Sequence, residues 1–354
     1  MEEIESDRQE SKNKAATDFR KRPRSPDRTA TAAAVPLRDH SQLFVHPATL
    51  ACAQGGNNNC LVCAYKIACF DVALDKEFTR RWPNQRPETC PRLLQPKTGN
   101  HHTLKSTANV KDWPCWNMRN ARILTVGDGD FSYSTALARH FRTAQGLTAT
   151  SYESKATLQK VYRTETLQLY WDELKEAGAS IRFQVDATRL PEDLQDVLWG
   201  VVVWNFPCTA VPAGQDGQNQ AMEDNKALVT QFCRNIQAHE IHLTHKTKPP
   251  YDQWGLVNLV QSVTSPHGSW TYVGRIVLDR AMWQPYVPRK ALDQKSFPCH
   301  DACTYVFQRS SARPWLETSL IAVTDDCLLK LRDYWLGLPV PEKPKKKQKG
   351  RGRR

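Results

Sequence analysis

The chain has 354 residues, a formal net charge of +12 and a mean hydropathy of −0.61. Nowhere do 18 apolar residues run together, and the start, MEEIESD, lacks the cationic flank and apolar core of a signal peptide. We therefore expect neither a membrane span nor secretion. Eleven cysteines in such a chain indicate reduced thiols or a metal site, because intracellular compartments rarely keep structural disulfides.

Both ends of the chain are too polar to belong to a core. Residues 1–44 predict a disordered tail, since the first 40 residues hold nine basic and eight acidic side chains with no apolar period. Residues 339–354 predict a second, basic tail, whose eight basic and one acidic side chains supply +7 of the net charge. Such a block, like RKRPR at residues 20–24, attracts polyanions or nuclear import receptors, although a solubilising role is the alternative. We expect a location in the nucleus or nucleolus.

Residues 45–118 read as a cysteine-bearing extension with little sustained period. Cys60 and Cys63 have the two-residue spacing of a zinc knuckle. Their separations from Cys52 and Cys69 match no standard zinc finger, so plain buried thiols are favoured over a structural zinc. The other candidate ligands are Cys90, His101 and His102.

From residue 120 onward, strands and helices alternate. An apolar run at 123–126 predicts the first strand, and the glycine turn after it leads into a helix over 131–140. The pattern predicts an α/β domain over 119–310 with a mostly parallel, doubly wound sheet, followed by a C-terminal helical segment over 311–338. The further predicted parallel strands are 147–152, 181–185, 201–204 and 241–245, with one long helix over 155–177, another over 222–237, and a closing antiparallel hairpin from 272–278 and 304–308.

The first strand runs into a turn with two glycines and two acids, in the stretch ILTVGDGDFSYS. Gly127 and Gly129 let the backbone bend, and Asp128 and Asp130 place carboxylates at the start of the following helix. A pyrophosphate at that helix N-terminus would be repelled, and the third glycine of GxGxxG is Ser132, so the turn disfavours NAD. S-adenosylmethionine carries a sulfonium, an ammonium and ribose hydroxyls, which carboxylates neutralise or accept from. The turn predicts a site for this methyl donor, and the alternative is a surface turn whose acids cap the helix.

Polar residues also follow the other predicted strands, at the edge where ligands of open α/β sheets bind. Glu153 lies 24 residues beyond Gly129, a spacing at which an acid accepts both ribose hydroxyls, while Asp186 in VDAT can accept from the adenine amino group. Either acid alone can be a helix cap. The predicted cofactor contacts are Gly127, Asp128, Gly129, Asp130, Phe131, Glu153, Asp186 and Ala187.

The fourth strand ends in Asn205-Phe206-Pro207, which is similar to the Asn/Asp-Pro-Pro-aromatic turn with which some methyltransferases grip a planar nitrogen. In such a turn the side-chain oxygen accepts the protons of the target, and the aromatic ring stacks on it. The alternative is a proline that simply ends a buried strand. The segment HKTKPPYDQW adds a cation and two aromatic rings, which suit single-stranded RNA, although its tryptophan can equally belong to the core. The predicted substrate-side residues are Phe206, Pro207, Tyr251 and Trp254, with Asn205, Lys246 and Asp130 as catalytic residues.

Several pieces together resemble the eukaryotic large-subunit rRNA methyltransferases that modify N3 of uridine. They are ILTVGDGDFSYSTALA, ATSYES, FQVDAT, VVVWNFP and EIHLTHKTKPPYDQW and, more weakly, WQPY and CTYVFQR, and they span residues 119–309. The resemblance implies a Rossmann-like class I fold, S-adenosylmethionine as cofactor, and rRNA or a pre-ribosomal particle as partner. It places Asn205, Phe206, Pro207, Lys246 and Tyr251 on the substrate side.

In such a reaction Lys246 would stabilise the enolate-like charge on the carbonyls of the base, and Asp130 or His245 would accept the N3 proton. Because N3 lies on the pairing edge, the base must be unpaired or flipped out. The chain departs from the family pattern at Cys208, where histidine is usual, and at His245, where leucine is usual. An alternative is therefore a nucleolar RNA-binding protein that keeps the fold without catalysis, and a third is a methyltransferase for proteins or small molecules.

Overall fold

The computed structural model describes residues 42–54, 61–82, 121–209, 220–309 and 320–338. These residues form one mixed sheet with the strand order β4-β3-β2-β5-β6-β8-β7-β1-β9. The strands are β1 (Leu43–Val45), β2 (Ile123–Val126), β3 (Leu147–Thr150), β4 (Ser180–Arg182), β5 (Trp199–Asn205), β6 (Ala238–Lys246), β7 (Trp270–Val277), β8 (Ala302–Arg309) and β9 (Ile321–Ala322).

The sheet topology confirms the predicted fold class. Strands β2 to β6 pair in parallel, and β8 lies antiparallel between β6 and β7. Strand β5 lies in the centre of the parallel part of the sheet, and its run of valines explains this position. The run is buried almost throughout, as expected for a parallel strand covered on both faces. The Rossmann-like class I arrangement, with its C-terminal antiparallel hairpin, is therefore present.

Ten α-helices are described, and one of them corrects the sequence-based prediction. The single helix expected over 155–177 is wrong, because two helices are separated by Tyr162, whose backbone is extended at φ −104° and ψ 162°. The helices are α1 (Pro47–Ala53), α2 (Leu61–Ala68), α3 (Val72–Arg81), α4 (Ser132–Phe141), α5 (Lys155–Val161), α6 (Thr164–Glu176), α7 (Glu192–Gln195), α8 (Gln220–Asn235), α9 (Leu256–Gln261) and α10 (Asp325–Leu336).

Two hydrophobic clusters cover opposite faces of the sheet. Leu124 and Val126 belong to one cluster and Ile123 to the other, because successive side chains of β2 point to opposite faces. The first cluster takes in Phe232 of α8, and the second takes in Trp171 of α6. Burying a large apolar side chain of this kind contributes roughly 1.5 to 3 kcal/mol, so the helices hold the strand ends in fixed positions.

The described part of the N-terminal region packs into the same core. Strand β1 pairs in parallel with β7, and the buried ammonium of Lys66 lies 2.9 Å from Asp279 Oδ1, just beyond β7. Thr49 Oγ1 donates to the other oxygen of that carboxylate at 2.6 Å. Leu43 and Phe44, which the sequence assigned to the N-terminal tail, lie in β1. The other predicted domain boundaries stay predictions.

Three of the cysteines considered for zinc are buried thiols. Cys52, Cys63 and Cys69 lie in the first core cluster, and Cys69 Sγ donates to the Lys66 carbonyl at 3.3 Å. In the described part of the chain, no group of three or more histidine, cysteine or acidic side chains is placed to hold a metal ion. Cys60, Cys90, His101, His102 and both basic tails lie outside the described residues. Among helices α1 to α10, none is long and apolar enough to cross a bilayer.

Candidate active site

A cleft of about 600 Å³ lies at the carboxyl ends of β2, β3 and β5. Its volume is that of an ordinary small-molecule site. The polar residues that follow these strands in sequence all line it, because the ends of parallel strands meet at one edge of the sheet. The strand-end residues brought together here are Asp128, Asp130, Glu153, Asp186 and Asn205.

The two glycines of the turn after β2 are required by close contacts. Gly127 has φ +62°, and a Cβ there would lie 3.0 Å from Nε1 of Trp204, which also lines the cleft. At Gly129 a Cβ would lie 3.3 Å from the Tyr162 hydroxyl oxygen. A side chain at either position would therefore displace an aromatic group that forms the cleft wall.

Both acids of the turn cap helix α4, as the alternative interpretation of the sequence expected. Asp128 Oδ2 accepts from the Ser134 amide at 2.7 Å and from its hydroxyl at 2.6 Å. Asp130 Oδ1 accepts in the same way from Ser132, at 3.1 and 2.5 Å. The acids nevertheless line the cleft. Burial, together with the neighbouring charge of Asp130, raises the pKa of Asp128 to about 7 despite the hydrogen bonds from Ser134.

A cation that the sequence did not predict compensates one of these acids. Arg289 Nε lies 2.7 Å from Asp130 Oδ2, and Arg289 belongs to the connection between β7 and β8. That connection forms one wall of the cleft. The lining is therefore less negative than the sequence implied, because Asp128 is the acid of the turn that lacks a basic partner among the described residues. The wall consists of Tyr286, Val287, Arg289, Lys290, Ala291 and Leu292.

The acids after β3 and β4 have different surroundings. No described donor bonds to the half-buried Glu153 carboxylate, so both its oxygens remain available to a ligand. Asp186 is exposed, and its Oδ1 accepts from the Thr188 amide at 2.8 Å and hydroxyl at 2.7 Å. Ala187 is buried and lines the cleft beside it.

Phe131 does not contact the cleft through its ring. The side chain is fully buried, and its centroid lies 5.5 Å from that of Phe183 and 6.3 Å from that of Trp171. The prediction that Phe131 contacts the cofactor is therefore wrong for the side chain, which instead anchors the turn to the core. Its backbone, at φ +60°, begins helix α4.

The substrate-side turn projects into the same cleft as the acids. Asn205 Oδ1 accepts from Thr244 Oγ1 at 2.5 Å, and the Asn205 side chain is also hydrogen-bonded to Tyr133. Phe206 lines the cleft with φ +53°, and its ring meets that of Phe297 edge-on at 4.9 Å. Pro207 lies two residues beyond the end of β5 and is buried, and it is not part of the cleft wall, so its predicted place on the substrate side is wrong. Burial raises the pKa of Tyr133, so its hydroxyl is neutral.

Lys246 lies one aromatic ring away from the cleft. Its Nζ is 4.9 Å from the centroid of Tyr251 and 5.4 Å from that of Phe297, whose other neighbour is Phe206. Neither Lys246 nor Tyr251 is part of the cleft wall. The predicted cation therefore lies outside the cleft wall, where its ammonium contacts two aromatic rings.

Two residues of the same segment belong to the core. The Trp254 side chain is 3% exposed, and its ring centroid lies 4.2 Å from that of His245. Burial lowers the pKa of His245 to about 4, and the ring does not line the cleft. The predicted roles of Trp254 in stacking on a base and of His245 in accepting a proton are therefore wrong. The alternative interpretation, a core tryptophan, is the one the structure shows.

Three buried tyrosines of the cleft wall were missed from sequence. Tyr133 lies within GDGDFSYS and Tyr286 within WQPY, so both were inside recognised pieces without being singled out. Tyr162 was hidden because its spacing fits the apolar stripe of a continuous helix. The sequence motifs were enough to identify Tyr133 and Tyr286. The position of Tyr162, by contrast, depends on the break between α5 and α6.

Comparisons with known proteins identify the family of the chain. Residues 124–290 match the BMT5-like family model, described as rRNA (uridine-N3-)-methyltransferase BTM5-like. Uncharacterized protein At4g26485 of Arabidopsis thaliana is 34% identical over 146 residues, which are 39% of this chain and 69% of that protein. Ferredoxin-fold anticodon-binding domain-containing protein 1 of Homo sapiens is 25% identical over 252 residues, 64% of this chain and 36% of that protein. The chain thus spans only about a third of the human relative.

Solved structures similar to the chain include TrmN from Thermus thermophilus, at 15% identity and a TM-score of 0.30, covering 53% of this chain and 44% of that one. An rRNA methylase from Streptococcus thermophilus has 9% identity and a TM-score of 0.29, with coverages of 53% and 88%. At these TM-scores the fold assignment rests on the strand order of the chain itself.

Methyltransferases with this fold imply an S-adenosylmethionine-type cofactor, and the cleft residues fit one. The Glu153 carboxylate has both oxygens available for ribose hydroxyls, and Asp128 supplies a buried negative charge near a sulfonium or ammonium. At Gly127 a Cβ would fill the space next to Trp204 that the glycine leaves open. By strand order, cleft and family match, the chain belongs to the BMT5-like family of methyltransferases.

Proposed function

We propose that the chain is an S-adenosylmethionine-dependent RNA methyltransferase that modifies N3 of a uridine in large-subunit rRNA. The observation that carries this proposal is the shared cleft, in which the acidic turn after β2 and the Asn205-Phe206 turn after β5 face one ligand space. The family description supplies the reaction and the rRNA. Partnership with a pre-ribosomal particle, nuclear import through the basic tails and a nucleolar location are parts of the same proposal.

The chemistry requires mainly positioning. When bound, the cofactor would supply an electrophilic methyl group to N3 and keep the electron pair on its sulfur, and the N3 proton would pass to water. The chain has to hold the base against the methyl group and exclude water, a contribution that reaches about 7 to 11 kcal/mol in well-oriented reactions. Water can reach the cleft, since Tyr152 and Cys208 of its lining are exposed.

The substrate side suits an unpaired base in RNA. Phe206 offers an aromatic ring in the cleft wall, on which a flipped base can stack. None of the described carboxylates forms an ion pair with Lys246, so its ammonium is available to a phosphate. A base inserted beside Phe206 would bring its own backbone within reach of that side chain, and Lys246 then acts on the phosphate rather than on the base carbonyls.

Asp130 fits a structural role better than a proton acceptor. Its two oxygens are engaged by Ser132 and by Arg289, and an acceptor needs an oxygen that faces the proton. Its assignment as a catalytic residue remains a prediction from sequence.

A second candidate function is an RNA-binding protein that keeps the methyltransferase fold without catalysis. Cys208, which takes the place of the histidine usual in the family pattern, is exposed and lines the cleft. If that histidine contributes to turnover elsewhere in the family, this chain would bind cofactor and RNA without transferring the methyl group.

The experiment measures cofactor binding by calorimetry and methyl transfer to large-subunit rRNA by nucleoside mass spectrometry. We expect Asp128→Asn to lose cofactor binding, and Asn205→Ala to keep binding while turnover falls about 100-fold. Asp193→Asn is the matched control, because Asp193 is exposed and pairs with Arg182 far from the cleft wall. Normal turnover in both site variants would overturn the site, and cofactor binding without any methylated nucleoside would favour the second candidate.

A further inference from the structure

The side-chain amide of Asn205 is held from two sides by residues of different elements. Thr244 Oγ1, on β6, donates to Asn205 Oδ1 at 2.5 Å, and Thr304 Oγ1 lies 2.9 Å from Thr244 Oγ1. Because Thr244 uses its proton on Asn205, Thr304 is the donor of the second bond. On the other side stands the hydroxyl of Tyr133, from helix α4.

The orientation of the amide follows from its bond to Thr244. Because Asn205 Oδ1 accepts from Thr244 Oγ1, Nδ2 is the end of the amide that is left to donate, and we assign it as the donor to the Tyr133 oxygen. The amide is therefore oriented, with Oδ1 toward Thr244 and Nδ2 toward Tyr133.

This orientation leaves one N–H of Asn205 without a partner in the described part of the chain. Nδ2 has two hydrogens, one of which is used on Tyr133, while Asn205 itself lines the cleft. A polar donor that loses water on ligand binding and finds no acceptor costs about 1 to 3 kcal/mol. The ligand that suits this position therefore presents an acceptor.

We propose that Asn205 Nδ2 donates to a carbonyl oxygen next to the ring nitrogen that is methylated, and that Tyr133 is the positioning residue that aims it. This inference rests on the proposed function and narrows its substrate to bases whose target nitrogen is flanked by a carbonyl, as N3 of uracil is. An exocyclic amino group would face the N–H with another donor. The role is the reverse of the sequence-based expectation, in which the Asn205 oxygen accepts protons from the target.

The hydrogen bond from Asn205 to the carbonyl of the base favours catalysis over substrate binding. When the N3 proton leaves, negative charge spreads onto the flanking carbonyl oxygen, and the bond from Asn205 strengthens. An interaction that strengthens only as the reaction proceeds raises kcat and leaves KM nearly unchanged.

Tyr133→Phe tests the positioning role, because it removes the hydroxyl and keeps the ring that packs on Tyr286 at 5.1 Å and Trp283 at 5.4 Å. We expect kcat for rRNA to fall about tenfold, with KM and the cofactor Kd within about twofold of the original chain. Thr244→Val should also lower kcat. Thr244→Ser, which keeps the hydroxyl, should have the kcat of the original chain. The matched control is Tyr334→Phe, on α10, which is remote from the cleft wall.

The decisive measurement is the double variant Tyr133→Phe with Asn205→Ala. If Tyr133 acts through Asn205, the double variant should have the same kcat as Asn205→Ala alone. If the two residues act independently, Tyr133→Phe should lower the kcat of Asn205→Ala by a further tenfold. Multiplying effects, or a loss carried by KM alone, would overturn the inference.

The product and the variants together identify which of the two proposals fails. If the original chain forms N3-methyluridine in large-subunit rRNA while Tyr133→Phe and Thr244→Val keep its kcat, the inference about Asn205 is wrong and the proposed function stands. If it methylates no RNA nucleoside at all, the proposed function fails and the inference fails with it. Cofactor binding by each variant shows that the fold is intact in every case.

Discussion

Arg289 Nε donates to Asp130 Oδ2 across 2.7 Å, and this pair ties the connection between β7 and β8 to the acidic turn after β2. The two side chains are 29% and 11% exposed, so water screens the pair less than it screens a surface ion pair. Because Asp130 is compensated, Asp128 is the acid of the turn whose charge acts on a cationic ligand.

Removing the Arg289 cation should change how strongly the cleft prefers a ligand with a charged sulfur over one with an uncharged sulfur. We expect Arg289→Gln to raise the preference for S-adenosylmethionine over the uncharged-sulfur product S-adenosylhomocysteine by about three- to tenfold, because a positive charge near the sulfonium is lost. The ratio of the two dissociation constants, measured by calorimetry, cancels any general loosening of the loop.

Arg182→Gln provides the control for that experiment, because it removes an arginine whose partner Asp193 is also exposed. We expect it to leave the ratio of dissociation constants unchanged. An unchanged ratio in Arg289→Gln as well would contradict the electrostatic role of the Asp130–Arg289 pair.

Cofactor affinity should depend on pH through Asp128. Burial and the charge of Asp130 raise the Asp128 pKa from 3.8 to about 7, so below pH 7 the carboxyl is neutral and attracts a cation less. Between pH 8 and 6 we expect the affinity for S-adenosylmethionine to fall about tenfold. Asp128→Asn should bind weakly at both values, and Asp193→Asn should keep the full dependence. A pH-independent affinity would show that this carboxyl does not titrate with the ligand.

The raised pKa of Asp128 also affects the stability of the free protein, and in the opposite direction: the affinity rises with pH, whereas the stability falls. An acid whose folded pKa is raised contributes stability below its ordinary pKa, and that contribution is lost as the pH rises through the folded value. The stability that Asp128 contributes to the free chain therefore falls as the pH rises from about 4 to 7 and stays low above pH 7, and a cation bound beside it offsets this loss.

The parts of the site that sequence could predict are those set by short-range pattern. The valines of β5 indicate a strand covered on both faces, and Gly127 marks a turn that requires positive φ. Because parallel strands end at one edge, the strand pattern alone was enough to place the residues after them together.

The remaining parts depend on contacts between residues far apart in the chain. Arg289 lies 159 residues from Asp130, and no local motif marks it as a partner. The break at Tyr162 interrupts a sequence whose helical pattern is continuous, because the tertiary contact with the turn at Gly129 overrides local propensity. Trp254 had two interpretations from sequence, and only its burial against His245 decided between them.

Close packing at the turn after β2 makes Gly127 more sensitive to substitution than another glycine with the same backbone. Gly127 has φ +62° and Gly255 has φ +57°, so an alanine at either costs roughly 1 to 2 kcal/mol of strain. A Cβ at Gly255 meets nothing within 4 Å, whereas at Gly127 it would press on Trp204, whose ring packs on Phe232 at 4.9 Å.

We therefore expect Gly127→Ala to lower the free energy of unfolding by more than Gly255→Ala does, and to abolish cofactor binding, which Gly255→Ala should retain. Urea unfolding and calorimetry measure the two effects. Equal destabilisation with cofactor binding kept in both variants would show that the turn adapts to a side chain.

His245 should make the fold sensitive to acid without taking part in catalysis. The ring is 4% exposed, its Nε2 has no hydrogen-bond partner among the described residues, and burial lowers its pKa from 6.5 to about 4. A histidine whose folded pKa is lowered contributes stability above its ordinary pKa, and the contribution is lost as the pH falls toward the folded value. We expect the free energy of unfolding to drop by about 3 kcal/mol between pH 6.5 and 4 through this group.

His245→Leu should remove that acid sensitivity and change the stability at pH 7 by less than about 1 kcal/mol, because the gain from replacing the unpartnered Nε2 is offset by loss of the hydrogen bond between the ring and the Tyr251 backbone. Urea unfolding at pH 7 and pH 5 measures both effects, and His239→Leu, at an exposed histidine of the same strand, is the control. Methyl transfer should be unchanged in His245→Leu, because the ring lies outside the cleft. If this variant instead folds normally and loses turnover, then His245 reaches the substrate in solution and its exclusion from the site is wrong.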